Sequence, residues 1–222
     1  EIVGFSFSTI PNEGYYIPIQ YPEKEKNNFG TDDLKVVLKK LSTIFEDKLK
    51  LKTGQNIKYD SLILKKYGIN IDGLNFDTMV AAHLINPIAK SISLDALSIE
   101  YLNYETIHIS DIIGKGKDQI TIDKVPLKLV TNYAAEDADI AFQLTSILKK
   151  KLIQNSLFKY FSEIEMPLLK VLIQMEYLGT YVDSDLLISM SNTVGENLSS
   201  IKSSILSYSG EDFNINSTQQ LA

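Results

Sequence analysis

The sequence predicts an α/β unit followed by an all-helical segment, and three observations carry that expectation. Strand-like runs and turn signals fill the first part of the chain. Residues 131–144 read as an amphipathic helix, and beyond about residue 149 only long helical patterns remain. The expected division is a unit over residues 1–155 and the beginning of a second, helical unit over residues 156–222.

Residues 2–9 and 13–21 are two apolar, aromatic-rich runs separated by Pro11, Asn12, Glu13 and Gly14, the pattern of an antiparallel hairpin. Thr31 has the position of a cap for a helix whose inner face holds Leu34, Val37, Leu38 and Leu41. A short strand is expected over residues 49–55 and a short helix over 58–67. Further helices are expected over residues 77–85, ended by Asn86-Pro87, and over 94–102, capped by Ser93. A loop with Gly114, Lys115, Gly116 and Lys117 leads to Pro126, a good first-turn residue for the long helix. Residues 164–178 and 183–208 continue as helices, the second capped by Asp183. Ser217 and Gln220 have the spacing of a capping box for a further helix.

Composition narrows the chemistry. The absence of cysteine excludes disulfides and thiolate zinc sites, so any metal must rest on carboxylates, the two histidines or backbone oxygen, donors that suit Mg²⁺ or Mn²⁺. His83 and His108 lack partners at ligand spacing and read as structural. The net charge of −6 argues against a broad nucleic-acid footprint, but it is uneven: residues 1–155 carry 19 Lys against 20 acids, residues 156–222 carry 3 against 8. There is no arginine, so phosphate contacts would fall to lysine, backbone N–H groups, hydroxyls or a metal. No apolar run is long enough to span a bilayer and the start lacks a signal-peptide pattern, so a soluble, cytoplasmic protein is expected.

Two carboxylates stand where apolar residues belong. On the long helix Leu129, Tyr133, Asp137, Ile140 and Leu144 share one stripe, while Asn132, Glu136, Asp139 and Gln143 share the opposite face and read as solvated. An ionised Asp137 on the inner stripe needs a cation, a metal or several hydrogen bonds, and the helix alone leaves open which. Tyr133 lies one turn away, within reach of it. Asp60 follows the 49–55 strand and falls in line with Ile63, Leu64 and Tyr67, so it too is expected to face the interior or a cleft. Its alternative role is a first-turn acid complementing the helix dipole. Asn56 sits at the strand end, where polar side chains of α/β folds meet ligands. Inward acids on separate helices are parts of a carboxylate-held site for phosphodiester hydrolysis, although a two-ion site needs about four acids. Asp72, Asp77, Asp95 and Asp111 have no comparable placement in the sequence.

Five segments in order carry a resemblance: Gly54-Gln-Asn-Ile-Lys-Tyr-Asp60, Phe76-Asp-Thr-Met79, Gly114-Lys-Gly-Lys117, Tyr133-Ala-Ala-Glu-Asp137-Ala-Asp139 and Ile164-Glu-Met-Pro-Leu168. Together they resemble the 3′→5′ exonuclease domain of family A DNA polymerases, the bacterial DNA polymerase I group. Asn214-Ile-Asn-Ser-Thr-Gln-Gln-Leu221 resembles the start of the polymerase domain of that family. The resemblance implies an RNase H-like (DnaQ-like) exonuclease fold, DNA and the rest of a polymerase chain as partners, and two Mg²⁺ or Mn²⁺ ions. It implies that Asp60 and Asp137 are metal acids, that Tyr133 orients the attacking water and that Asn56 lies near the terminal nucleotide. Lys115 and Lys117 would contact the DNA backbone. Where the family often has an aromatic residue near the unpaired primer end, this chain has Ile122. The family's first motif, Asp-x-Glu on a strand before residue 2, is absent from these residues. The chain is therefore expected to be an internal piece of a longer polypeptide that by itself does not hydrolyse DNA. A vestigial scaffold and a ribonuclease D-like RNA exonuclease are the alternative readings, the second disfavoured by the polymerase-like segments.

Overall fold

The first two strand-like runs pair as expected. In the computed structural model, which describes residues 1–22 and 34–221, β1 (Gly4–Ile10) and β2 (Glu13–Pro18) form an antiparallel hairpin in which Phe5 faces Ile17 and Phe7 faces Tyr15. Asn12 turns the chain in the left-handed region at φ 67°, a conformation asparagine tolerates better than most residues. Helix α1 (Leu34–Phe45) buries Val37, Leu38, Leu41 and Phe45 on one face; its expected cap, Thr31, lies outside the described residues.

The next strand is shorter than expected. Leu49 and Leu51 lie exposed in a turn, where Asp47 accepts the Leu49 N–H at 2.9 Å, and β3 spans only Lys52–Gly54. Helix α2 (Ile57–Lys65) follows. The sequence reading missed β4 (Leu74–Asp77), which pairs with β3 in parallel. Then come α3 (Thr78–Ile85) and α4 (Leu94–Leu102), where Ser93 accepts the Ala96 N–H as expected. A one-turn helix α5 (Ile109–Ile113), also unforeseen, and two 3₁₀ turns at Gly116–Asp118 and Ile122–Lys124 lead to α6 (Leu127–Gln154). β1 pairs with β2 and β3 with β4, giving two separate two-stranded sheets among the described residues.

Helix α6 is the element against which the rest packs: the hairpin, β3, α3, α4 and α5 all touch it. Ile140, Leu144, Leu148 and Leu152 form its inner line and join Phe76, Ala81, Leu97 and Phe161 in the larger core. A smaller core joins Ile2 and the α1 face to Leu64 and Ile69, with Phe5, Phe7 and Ile17 against it. After α6 come a helical turn at Phe158–Tyr160, a π turn at Phe161–Glu165 and α7 (Met166–Leu178). Pro167 accounts for the π turn, because it offers no N–H and its ring displaces the carbonyl one turn back. Met166, Leu169 and Ile173 pack into the main core, so the compact unit runs through Leu178.

The second unit, Gly179–Ala222, contains α8 (Ser184–Ser209) and α9 (Thr218–Leu221). Asp183 caps α8 by accepting the Leu186 N–H at 2.9 Å, and Gly210 ends it at φ 73°. The expected capping box closes differently: Gln220 reaches back to the Asn214 N–H at 2.7 Å.

Candidate functional site

The centre of the site is one turn of α6. Asp137 and Tyr133 are hydrogen bonded to each other and both are half-buried. Burial pushes the Asp137 carboxyl up to about 6; the Tyr133 hydroxyl opposes that rise, while the Asp95 and Glu136 charges add to it. Tyr133 is pushed up in turn, first by burial and then by the Asp137 charge, so its phenol keeps its proton at any physiological pH. Among the described residues no lysine or histidine forms an ion pair with Asp137. The inner line of α6 passes through Leu127 and Val130, and Leu129, expected on it, is 46% exposed. Asp137 consequently stands at the margin of the core.

The neighbouring acids are not merely solvated, contrary to the sequence reading. Asp139 accepts the Asn12 N–H at 2.8 Å and the Gln143 amide at 2.7 Å. Glu136 accepts the Ile107 N–H at 2.6 Å and the Tyr104 hydroxyl at 2.7 Å. Periodicity identifies the polar face of a helix but not the chain that folds across it. The hairpin also meets α6 closely at Gly14, where a Cβ would collide with the Ala135 carbonyl oxygen. Asp137 therefore lies between two fixed points, Ala135 and Asp139, to which the β1–β2 turn is attached.

Asp60, on α2, is placed otherwise. The buried side of α2 is Ile57, Ser61 and Leu64, so Asp60 and Tyr67 are exposed rather than directed inward. The surrounding protein still raises the Asp60 carboxyl to about 6, with the Asp77 charge adding to the rise, while solvent reaches the residue from its open side. Asn56 precedes α2 in the left-handed region at φ 58° and its side chain makes no capping bond to the helix.

Asp77 is the residue that the sequence reading passed over. Wholly buried at the end of β4, it accepts N–H bonds from Met79 at 2.8 Å, Val80 at 3.1 Å, Ile57 at 2.8 Å and Asn56 at 3.4 Å. It therefore caps α3 and, across the sheet, the start of α2 as well. Burial raises its carboxyl against the pull of those N–H groups. The signal in the sequence was an Asp ahead of an apolar helix; β4, which buries it, was not visible.

Lys115 and Lys117 are exposed, on a loop whose ends are joined by the Ile120 N–H to the Ile113 carbonyl at 2.9 Å. Ile122 is half-buried in the second 3₁₀ turn. The charge that raises Asp60 is Asp77, whereas those that raise Asp137 are Asp95 and Glu136. The structure brings Tyr133 and Asp137 together and leaves Asp60 with a different neighbour. Carboxylate oxygen suits a hard divalent ion and both acids are raised, so the donor type fits. Among the described residues no group of three or more acids or histidines converges to hold one. No helix of the described residues is long and apolar enough to cross a membrane.

Known proteins resemble the chain over its whole length. A 3′-5′ exonuclease family model, that of DNA polymerase A, matches residues 2–153. DNA polymerase I of Borreliella burgdorferi is 40% identical over 224 residues, covering 100% of this chain and 23% of its own length. DNA polymerase I of Pseudomonas aeruginosa is 34% identical over 229 residues, covering 100% of this chain and 24% of its own. The chain spans about a quarter of the length of these relatives. Among solved structures, the POL domain of Pol1 from M. smegmatis in complex with DNA primer-template and dNTP has a TM-score of 0.66 at 21% identity, over 94% of this chain and 31% of that one. Brucella melitensis NrnC has a TM-score of 0.50 at 18% identity, over 63% of this chain and 64% of that one. Those two likenesses show the fold, and the exonuclease family is generally dependent on divalent metal ions. The α/β exonuclease fold expected from the motifs is the fold of this chain, which belongs to the DNA polymerase A family of 3′-5′ exonucleases.

Proposed function

We propose that the full-length protein is a cytoplasmic DNA polymerase of the polymerase I kind and that this chain supplies its proofreading exonuclease, removing nucleoside 5′-monophosphates from DNA 3′ ends. The observation that carries this reading is the Tyr133–Asp137 pair: a raised carboxylate beside a protonated phenol, in a chain of the 3′-5′ exonuclease family. Residues 1–155 are the exonuclease part and residues 156–222 begin the polymerase part.

Asp137 and Asp60 would hold Mg²⁺ or Mn²⁺. Such ions, when bound, make a water nucleophilic near neutral pH and stabilise the leaving oxygen. The Tyr133 hydroxyl, protonated and bonded to Asp137, orients the water beside it. The Asn56 amide holds the terminal nucleotide, Lys115 and Lys117 meet backbone phosphates and Ile122 borders the unpaired end. Attack at the last phosphorus breaks the bond to the preceding 3′ oxygen, which leaves with a proton.

A second reading, a scaffold for the polymerase without hydrolysis, draws on the exposure of Asp60 and the lack of a three-ligand cluster among the described residues. The two readings part on one assay. The full-length protein is given a 3′-mismatched primer, Mg²⁺ and no dNTP; release of nucleoside monophosphate establishes the exonuclease, and an intact primer establishes the scaffold.

A further inference from the structure

The residue next to Asp137 fastens a loop. Glu136 holds the Ile107 N–H at 2.6 Å and the Tyr104 hydroxyl at 2.7 Å. From the other side, Asp95 on α4 accepts the Thr106 hydroxyl at 2.7 Å and pairs with His108 Nδ1 at 3.1 Å, and Ser98 donates to the Tyr104 carbonyl at 2.8 Å. Residues 104–108 are thereby strapped between α4 and α6. The segment runs directly into α5, whose last residue, Ile113, forms the base of the Lys115–Lys117 loop through its bond with Ile120.

The arrangement has an electrostatic cost. Glu136 and Asp95 are like charges near Asp137 and both hold its carboxyl up. An acid at position 136 makes the neighbouring acid harder to ionise, so charge at Asp137 does not explain it. The bonds it makes do: one backbone N–H and one hydroxyl, from a segment about thirty positions earlier in the chain, each bond to a charged acceptor.

We infer that Glu136 is a positioning residue for the DNA 3′ end: it sets the lysine loop in register with the Tyr133–Asp137 turn, so that substrate grip and the reacting group ride on one helix. The inference rests on the exonuclease reading above, in which Lys115 and Lys117 meet the DNA backbone. Asp137 acts on the reaction; Glu136 acts through the loop. Its removal therefore weakens capture of the strand more than the chemical step, and glutamine, which keeps an acceptor oxygen, restores most of the function.

The test compares E136A, E136Q and the K115A/K117A double variant of the full-length protein on single-stranded DNA, together with amide hydrogen exchange. E136A removes both charge-assisted hydrogen bonds and is expected to raise KM roughly 10-fold or more, with kcat within about 2-fold. E136Q should lie within about 3-fold of the unaltered protein in KM, since a neutral acceptor keeps part of each bond. The double variant should reproduce the KM effect, and the amides of residues 104–108 should exchange faster in E136A alone. An unchanged KM in E136A overturns the inference, as does a fall in kcat that glutamine does not restore. If the unaltered protein releases no nucleotide, the exonuclease reading fails by itself. Crosslinking of single-stranded DNA to the lysine loop then decides: weaker crosslinking in E136A supports the tether, and equal crosslinking overturns it.

Discussion

The two arms of the proposed site are built to different standards. On α6, Asp137 is half-buried, bonded to Tyr133 and bracketed by the points where the β1–β2 turn is attached. On α2, Asp60 is exposed, and what is fixed is the start of its helix, through Asp77. One arm holds its acid directly and the other holds the helix that carries it. The difference teaches that surrounding protein raises both carboxyls first and like charges add to the rise, Asp77 at Asp60 and Asp95 with Glu136 at Asp137, whether or not the residue itself is open to solvent.

The largest effect expected from breaking this contrast falls on Asp77. D77A in the full-length protein strands four N–H groups, that of Ile57 buried and the others partly buried, and uncaps two helix starts, a loss of about 3 kcal/mol in urea unfolding, and D77N about half of that. D60A, on the exposed position, should change stability by less than about 0.5 kcal/mol. Equal losses would dissolve the contrast.

G14A comes next. The added methyl meets the Ala135 carbonyl and pushes the hairpin from α6, a cost of about 2 kcal/mol read as a lower urea midpoint, with weaker exonuclease activity if the hairpin braces the Asp137 turn.

The pH dependence sharpens the comparison further. Asp137 is raised from 3.8 to about 6 in the folded protein, so between those values the folded state binds more protons than the unfolded chain. Stability therefore falls as pH rises through that window, and the ionised acid is a burden at neutral pH. D137N in the presence of a chelator should melt higher than the unaltered protein at pH 7, with the difference vanishing below about pH 4. D60N should gain less, because solvent screens the exposed carboxylate. A larger gain at Asp60 would reverse the assignment of the enclosed arm.

Much of this was legible in the sequence, and the misses have physical causes. The hairpin, α3, α4, α6 and α8 follow from periodicity and capping residues such as Ser93 and Asp183. Strand β4 escaped because Leu74-Asn-Phe-Asp77 is too short to show alternation and runs straight into a helix. Of the line expected through Asp60, Ile63, Leu64 and Tyr67 only Leu64 is buried, because the buried side of α2 is Ile57, Ser61 and Leu64; Asp60 is open to solvent with protein around it, at a cleft and not in the interior. Asp77 looked like an ordinary helix-start acid until the sheet showed that it serves two helices. Glu136 and Asp139 were placed on the right face but misjudged, since no periodic pattern reveals that residues 12 and 107 return to that face.

The most direct test sets the two acids side by side in one assay. Nucleoside monophosphate release from a 3′-mismatched primer is measured for D137A and D60A of the full-length protein, first in Mg²⁺ and then in raised Mn²⁺. The account predicts that each variant loses at least about 100-fold, more than a residue that merely supports a metal ligand would lose. Raised Mn²⁺ should restore D60A in part and D137A not at all. Activity retained by D137A would contradict the account at its centre.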